Sequence, residues 1–310
     1  MNEQALAGLW ADLSAAYGDR LRRNEPLAGH TTSRLGGPVD IWLPVVRLAE
    51  LVRAVSLARE HQVSYFILGG GANILVTDRG IRGLVLENRT RRVTRSAGEG
   101  DQALLTADSG VILPNLAKRC GREGLSGLEW AVGVPGTLGG AIVNNAGAYG
   151  SDMAATLRRA ELLSPQGERI WQPVEWFEYR YRHSRLKQQI EPGWVVLQAE
   201  LSFLVAAPAE IQARMAGFNE RRKRSQPPGA TMGSMFKNPP GDYAGRLIEA
   251  AGLKGYQVGQ ARISPVHANF FQNLGGASAA DFIELIHLAQ ATVAEKFGVN
   301  LELEIEIIGE

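Results

Sequence analysis

Apolar positions recur every three to four residues at the start of the chain. Leu6, Leu9, Trp10, Leu13 and Tyr17 share one helical face, with Glu3 and Asp12 among the polar positions. The spacing predicts an amphipathic surface helix rather than a signal peptide. Residues 47–63 repeat the helical pattern. A Gly-Gly-Pro turn within 30–45 leads into a short strand, and strands are expected at 64–68 and 81–88, separated by "GGGANILVTDRG" (69–80). Residues 91–110 read as a hairpin. Pro114 opens a helix that reaches the Gly121–Gly124 region, and 155–205 is strand-like with turns at 164–168 and 191–194. Further helices are expected at 207–224, at 242–252 with Asp242 as N-cap, and at 278–298, where Ser278 and Asp281 form a capping-box pattern and Gly298 marks the stop. The end, "LELEIEIIG" (301–309), alternates. As a strand it places Leu301, Leu303, Ile305 and Ile307 on one face and Glu302, Glu304 and Glu306 on the other. The mixture is α+β, without internal repeats, and has a boundary near 205–210.

Composition adds bounds. The 310 residues suffice for two or three domains, and 45% apolar residues suffice for a sizeable core. A net charge of +1 argues against whole-surface attraction to nucleic acid or anionic membrane. The single cysteine, Cys120, excludes a disulfide framework and a multi-thiolate metal site, and no metal is expected. No apolar run approaches the ~20 residues that a membrane helix requires. These bounds describe a soluble cytoplasmic protein, but they do not explain 36 glycines, many of them clustered.

Two glycine clusters invite a ligand. In "LGGGANILV" (68–76), successive backbone N–H groups can face a phosphate, or the glycines can simply make a tight hairpin turn. The Rossmann fingerprint needs a helix after its glycines, and "ANILVTDRG" is too short and too β-branched to supply one. The second cluster, "VGVPGTLGGAIVNNAGAYG" (132–150), is long, apolar and glycine-rich. Either something flat or extended lies against its backbone, or it is a loop buried under another domain. Two such segments favour a large phosphate-bearing ligand. In "YRYRHSRLK" (179–187), strand alternation puts Tyr179, Tyr181 and His183 on one face and Arg180, Arg182 and Ser184 on the other, as an anion-holding strip or a solvated basic face. The run Arg221–Arg224 sits at a helix end, where cations suit the dipole. "GSMFKNPPG" (233–241) brackets Ser234, Lys237 and Asn238 with turn residues, although a turn requires none of the three.

Taken in order, "HTTSRLGGPVD", "LGGGANILVTD", "GLEWAVGVPGTLGGAIVNNAGAYG", "YRYRHSR", "GSMFKNP", "AGRLIEAAGLKG" and "FGVNLELEIEIIG" closely resemble the UDP-N-acetylenolpyruvoylglucosamine reductase family, in its compact subgroup, over nearly the whole chain. The resemblance implies a vanillyl-alcohol-oxidase (PCMH-type) FAD-binding fold of two α+β subdomains, followed by a C-terminal α+β substrate domain. These would span 1–90 (opening helix and first FAD subdomain), 91–206 (second FAD subdomain) and 207–310. It implies FAD on Gly69, Gly70, Gly71, Ala72, Asn73 and Ile74, and on Val134, Pro135, Gly136, Thr137, Gly139, Gly140, Asn145, Ala146 and Gly147. NADPH has no motif of its own here and would share the substrate cleft.

The implied chemistry is reduction of the enolpyruvyl ether of a UDP-sugar in peptidoglycan precursor synthesis, by a monomer whose only partner is this small molecule. Ser234 matches the family's proton donor. Arg182 and Glu304 match the residues that stabilise the enolic intermediate. Lys237, Asn238, Lys254 and Tyr149 match substrate contacts. Glu304 suits a protonated, donating role, which its neighbours Glu302 and Glu306 would favour by like-charge repulsion. The chain departs from the family pattern at Leu303 and Glu306, where proline and arginine are more usual. Two rival readings are a flavin oxidase of the same superfamily acting on a small alcohol, with His30 as a covalent anchor, and a non-catalytic nucleotide-sugar sensor.

Overall fold

The computed structural model describes residues 3–98, 102–188 and 193–310. Three cores succeed one another along the chain. In the first, α1 (Glu3–Tyr17) and α2 (Leu48–Glu60) cover a four-stranded sheet in the order Arg22–Pro26, Pro38–Val45, Ile81–Asn88, Tyr65–Leu68. The last three strands run parallel, and α2 supplies a crossover that parallel neighbours require. Leu9 and Leu13 of α1 and Leu51 and Val55 of α2 bury their apolar faces against Ile41, Leu43, Leu84 and Leu86.

The first glycine cluster does not close a hairpin, because its flanking strands are parallel. It leads into Ile74–Val76, which pairs in parallel with the C-terminal strand Glu306–Ile308.

The second core lies on an antiparallel sheet ordered Arg169–Pro173, Leu157–Leu163, Val195–Val205, Gln102–Asp108, Val93–Ala97. The expected hairpin at 91–110 forms these last two strands, and its tip at 99–101 falls outside the described residues, as does part of the expected turn at 191–194. Against the sheet pack α3 (Leu113–Arg122), which has proline in its first turn, and α4 (Leu138–Asn144). α4 is a departure, since the stretch 132–150 reads as a long glycine-rich connection. Thr137 caps its N-terminus by accepting from Gly140 N at 3.4 Å, and Asn145, at φ 43°, closes it in the left-handed region. α5 (Pro208–Ser225) places Ile211 and Met215 in this same core, so by packing it joins the second unit.

The third core gathers α6 (Ala244–Ala250), α7 (Ala279–Phe297) and a small antiparallel sheet of Gln257–Val258, Ala261–Ile263 and Phe271–Asn273 around Phe236, Phe271 and Phe282. α7 has the expected reciprocal Ser278–Asp281 capping box and Gly298 at its end. α6 differs from expectation. Ala244 N donates to Asn238 Oδ1 at 3.1 Å, whereas Asp242 accepts from Tyr243 N and pairs with Arg246. The first and third units are tied by strand pairing and by Asp78, whose two carboxylate oxygens accept from Ala279 N and Ala280 N at the start of α7.

Candidate functional site

The two glycine clusters meet. A side chain at Gly70 would place its Cβ 2.8 Å from Gly136 Cα, and one at Gly69 would come within 2.5 Å of Thr137 Oγ1. Backbone therefore lies against backbone, which only glycine permits. Gly71 adopts φ +58° and packs on His30. The second cluster is held from behind: Leu138 N donates to Val111 O, Gly139 N to Ser109 O and Leu113 N to Gly136 O, all between 2.8 and 3.0 Å.

Above this junction opens a cleft of about 850 Å³, floored by Gly69, Gly70, Gly110 and Thr137 and walled by His30–Thr32, Glu87–Arg89 and the Asn115 and Arg122 face of α3. Its volume is in the upper range of cofactor sites. Gly140 leaves open space beside the junction, since its Cβ would meet only Thr137 Oγ1 at 3.7 Å. A tight glycine floor and a roomy cleft fit a dinucleotide such as FAD. Other residues of the expected cofactor set serve the fold. Asn145 is buried and spends its side chain on Asp152, Arg180 O and Ala154 N. Gly139 packs on Ser109, and Ile74 is buried in its short strand.

At the end of the glycine loop, Asn73 donates its side-chain amide to Glu304 O at 3.2 Å. Glu304 lies where the three units meet. Its N–H donates to Met235 O at 2.9 Å, beside Ser234, and its Oε1 accepts from Arg182 Nε at 2.6 Å. Arg182 also donates through Nη2 to Gly147 O at 2.8 Å. The segment around Arg182 is a turn, not the expected strand. Arg180 and His183 exchange backbone hydrogen bonds, and Arg182 sits at φ 51°. Ser184 anchors the turn by donating to Val143 O at the end of α4. The turn swings Arg182 out of alternation and onto Glu304. Ser234 Oγ and Glu304 Oε2 make no protein hydrogen bond among the described residues, which leaves one oxygen of the Glu304 carboxylate uncommitted next to the Arg182 guanidinium.

The other expected contacts have partners of their own. Lys237 pairs with Glu302 at 3.2 Å and Lys254 with Glu249 at 2.8 Å. Asn238 caps α6, and its backbone N–H donates to Tyr181 Oη. Tyr149 stacks on Phe218, with 4.4 Å between ring centroids, and donates to Phe218 O. Glu302 is thus met by a lysine rather than left to press on Glu304.

Sequence reasoning gave no role to Asn144 or Lys187. Lys187 Nζ donates to Asn144 Oδ1 at 2.8 Å and to Glu304 O at 3.2 Å. Burial lowers its pKa, and among the neighbouring charges Glu306 opposes that most strongly. Only the folded turn brings Lys187 to the centre. His30 has both ring nitrogens on carboxylates, at 3.1 Å from Glu25 and 2.9 Å from Glu87, so neither is free as a covalent anchor.

Known proteins match at both levels. A family model described as UDP-N-acetylenolpyruvoylglucosamine reductase, C-terminal domain, matches residues 225–308, and one described as FAD binding domain matches 45–172. A UDP-N-acetylenolpyruvoylglucosamine reductase of Chloroflexus aggregans is 44% identical over 93% of this chain and 97% of its own length. That of Rubrobacter xylanophilus is 44% identical over 93% and 95%. The chain belongs to the UDP-N-acetylenolpyruvoylglucosamine reductase family. The crystal structure of the reductase from Thermus caldophilus superimposes with a TM-score of 0.79 at 35% identity, covering 94% of this chain and 99% of that one. The reductase fold, an FAD-binding α+β architecture followed by a C-terminal domain, therefore extends over the whole molecule.

Proposed function

We propose that this chain uses NADPH and bound FAD to reduce the enolpyruvyl ether of UDP-N-acetylglucosamine enolpyruvate, giving UDP-N-acetylmuramate for peptidoglycan. One observation supports the assignment of roles: Arg182 sits on the Glu304 carboxylate, and the Glu304 N–H donates to the carbonyl of Met235, the residue after Ser234. The junction of Gly69–Asn73 with Gly136, Thr137 and Gly140 holds the cofactor, and Lys237, Asn238, Lys254 and Tyr149 meet the nucleotide sugar.

When bound, FAD relays a hydride from NADPH to the terminal vinyl carbon. Negative charge then develops on the substrate beside its carboxylate. The Arg182 guanidinium offsets that charge from a position already fixed by Glu304 and Gly147 O, so little reorganisation is needed. Ser234 delivers its Oγ proton to the adjacent carbon, completing addition across the double bond. A serine hydroxyl is a weak acid, so orientation and the neighbouring charge must assist it. Glu304 holds the Arg182 guanidinium through Oε1 and keeps Oε2 without a protein partner among the described residues.

The enzyme acts as a cytoplasmic monomer without nucleic acid or membrane partners. The near-neutral charge argues against whole-surface attraction to nucleic acid, and among the described residues no helix is long and apolar enough to cross a membrane. Ser234→Ala tests the central role. Loss of a positioned proton donor should slow the substrate-dependent half-reaction by about 10²–10⁴-fold and leave flavin bleaching by NADPH within about twofold. Equal slowing of both halves, or of neither, would contradict the assignment.

A further inference from the structure

Lys187 lies in a closed set of four hydrogen bonds. Two donors, Lys187 Nζ and Asn73 Nδ2, each reach the same two acceptors, Asn144 Oδ1 and Glu304 O, at 2.8 and 3.2 Å for the lysine and 3.3 and 3.2 Å for the asparagine. The four groups come from different parts of the fold: the first glycine loop, the end of α4, the Arg182 turn and the C-terminal segment. The Glu304 N–H is fixed separately, on Met235 O. Removing Lys187 would leave the Glu304 carbonyl to Asn73 alone.

An ammonium is a costly clamp here. Burial disfavours its charge, and Lys237 and Arg182 add like-charge repulsion, while Glu306 and Glu304 oppose both. A neutral amide could make the same two bonds without desolvating a charge. A cation kept there adds to Arg182 and Lys237 at the place where an anionic substrate arrives, and the cost of gathering like charges falls once that anion is present.

We infer that Lys187 is a positioning residue for the reduction: it holds the Glu304 backbone so that the carboxylate stays against Arg182 and in register with Ser234. The inference rests on the proposed function for its kinetic consequence and on geometry alone for its structural one. Two variants separate the elements. Lys187→Met removes both bonds, whereas Lys187→Gln keeps an N–H donor without charge.

The test combines hydrogen exchange of the flavin-free protein with stopped-flow absorbance of the holoenzyme. In Lys187→Met, amides of 302–308 should exchange at least tenfold faster, with the glycine-loop and α7 amides unchanged. Bleaching by NADPH should stay within about twofold. Reoxidation by the UDP-enolpyruvyl sugar should slow about 10–100-fold through kcat, with KM within threefold, as expected for loss of a charged hydrogen bond behind a reacting group. Lys187→Gln should restore exchange protection and part of the rate. Parent-like exchange at 302–308 in Lys187→Met would overturn the inference, as would equal slowing of bleaching and reoxidation. If the parent enzyme were not reoxidised by that sugar, the proposed function would fail, and the exchange data would still decide whether Lys187 holds Glu304.

Discussion

Gly70 and Gly140 separate a glycine that serves packing from one proposed to face the cofactor. At Gly70 an added methyl would meet Gly136 Cα at 2.8 Å. Ordinary carbon contacts lie near ~3.5–4.0 Å, so the two glycine clusters would have to part by about 0.7–1.2 Å. Overpacking of this kind costs about 1–3 kcal/mol, and Gly70→Ala should lower the melting temperature of the flavin-free protein. At Gly140, beyond its own helix backbone, an added Cβ would meet among the described residues Thr137 Oγ1 at 3.7 Å, an ordinary contact. Alanine also suits a helix better than glycine, by up to about 1 kcal/mol. Flavin-free Gly140→Ala should therefore melt at the parent temperature or up to about 3 °C above it. If the cofactor lies along this turn of α4, the same methyl intrudes on it, and the Kd for FAD should rise about 5- to 150-fold. Fluorescence quenching of added FAD measures that Kd, and a thermal melt measures the apoprotein. Gly140→Ala binding FAD within twofold of the parent would refute placement of the cofactor against α4. A fall in apoprotein stability like that of Gly70→Ala would refute the reading of free space.

Three further outcomes follow from the hydrogen-bonding pattern. Arg182→Lys cannot reproduce both the Nε bond to Glu304 and the Nη2 bond to Gly147 O, so substrate-dependent reoxidation should slow about 10²-fold or more in stopped-flow traces, with bleaching by NADPH much less affected. Asn238→Ala removes the acceptor at the start of α6 and should cost about 1 kcal/mol in urea unfolding, whereas Asp242→Ala should shift the midpoint less, because Asp242 does not cap the helix. Burial pushes the carboxyl of Glu50 up, but bonds from Arg20, Val46 N and Arg47 outweigh it and hold the pKa at about 2 against an ordinary 4.5. A folded-state value below the unfolded one stabilises above pH 4.5, and that stabilisation is lost as pH falls towards 2. It amounts to about 3 kcal/mol, and urea midpoints of Glu50→Gln should fall less between pH 5 and pH 3 than those of the parent.

The elements that were legible in the sequence carry their own local signals. α1, α2 and α7 have an apolar stripe, and α7 adds a reciprocal cap and a terminal glycine. α4 was not legible, because Leu-Gly-Gly-Ala-Ile-Val-Asn combines two glycines with β-branched residues, and its helix depends on Thr137, Asn145 and burial of Leu138 and Ile142. The Arg182 turn hides behind an alternation of tyrosine and arginine. It is set by distant partners, Asn145 on Arg180 O and Ser184 on Val143 O, that no window of sequence contains. At the C-terminus only part of 301–309 is strand: Glu306–Ile308 pairs with Ile74–Val76 and Leu303 bridges Phe236, while Ile307 lies 40% exposed instead of inward. The glycine junction was legible as two clusters but not as a contact, since nothing local says that Gly70 and Gly136 touch. Ser234, Arg182 and Glu304 stood out through family motifs, whereas Lys187 and Asn144 become visible only once the turn brings them to Glu304.

The most direct test of the central claim is an anaerobic titration of the purified holoenzyme followed by its visible absorbance, in the band near ~450 nm that a bound flavin carries. NADPH is added first and the UDP-enolpyruvyl sugar second. Bleaching by NADPH, followed by recolouring only when the enolpyruvyl sugar arrives, is the result predicted. Bleaching that the sugar does not reverse, or a protein that cannot take up FAD at all, would contradict it.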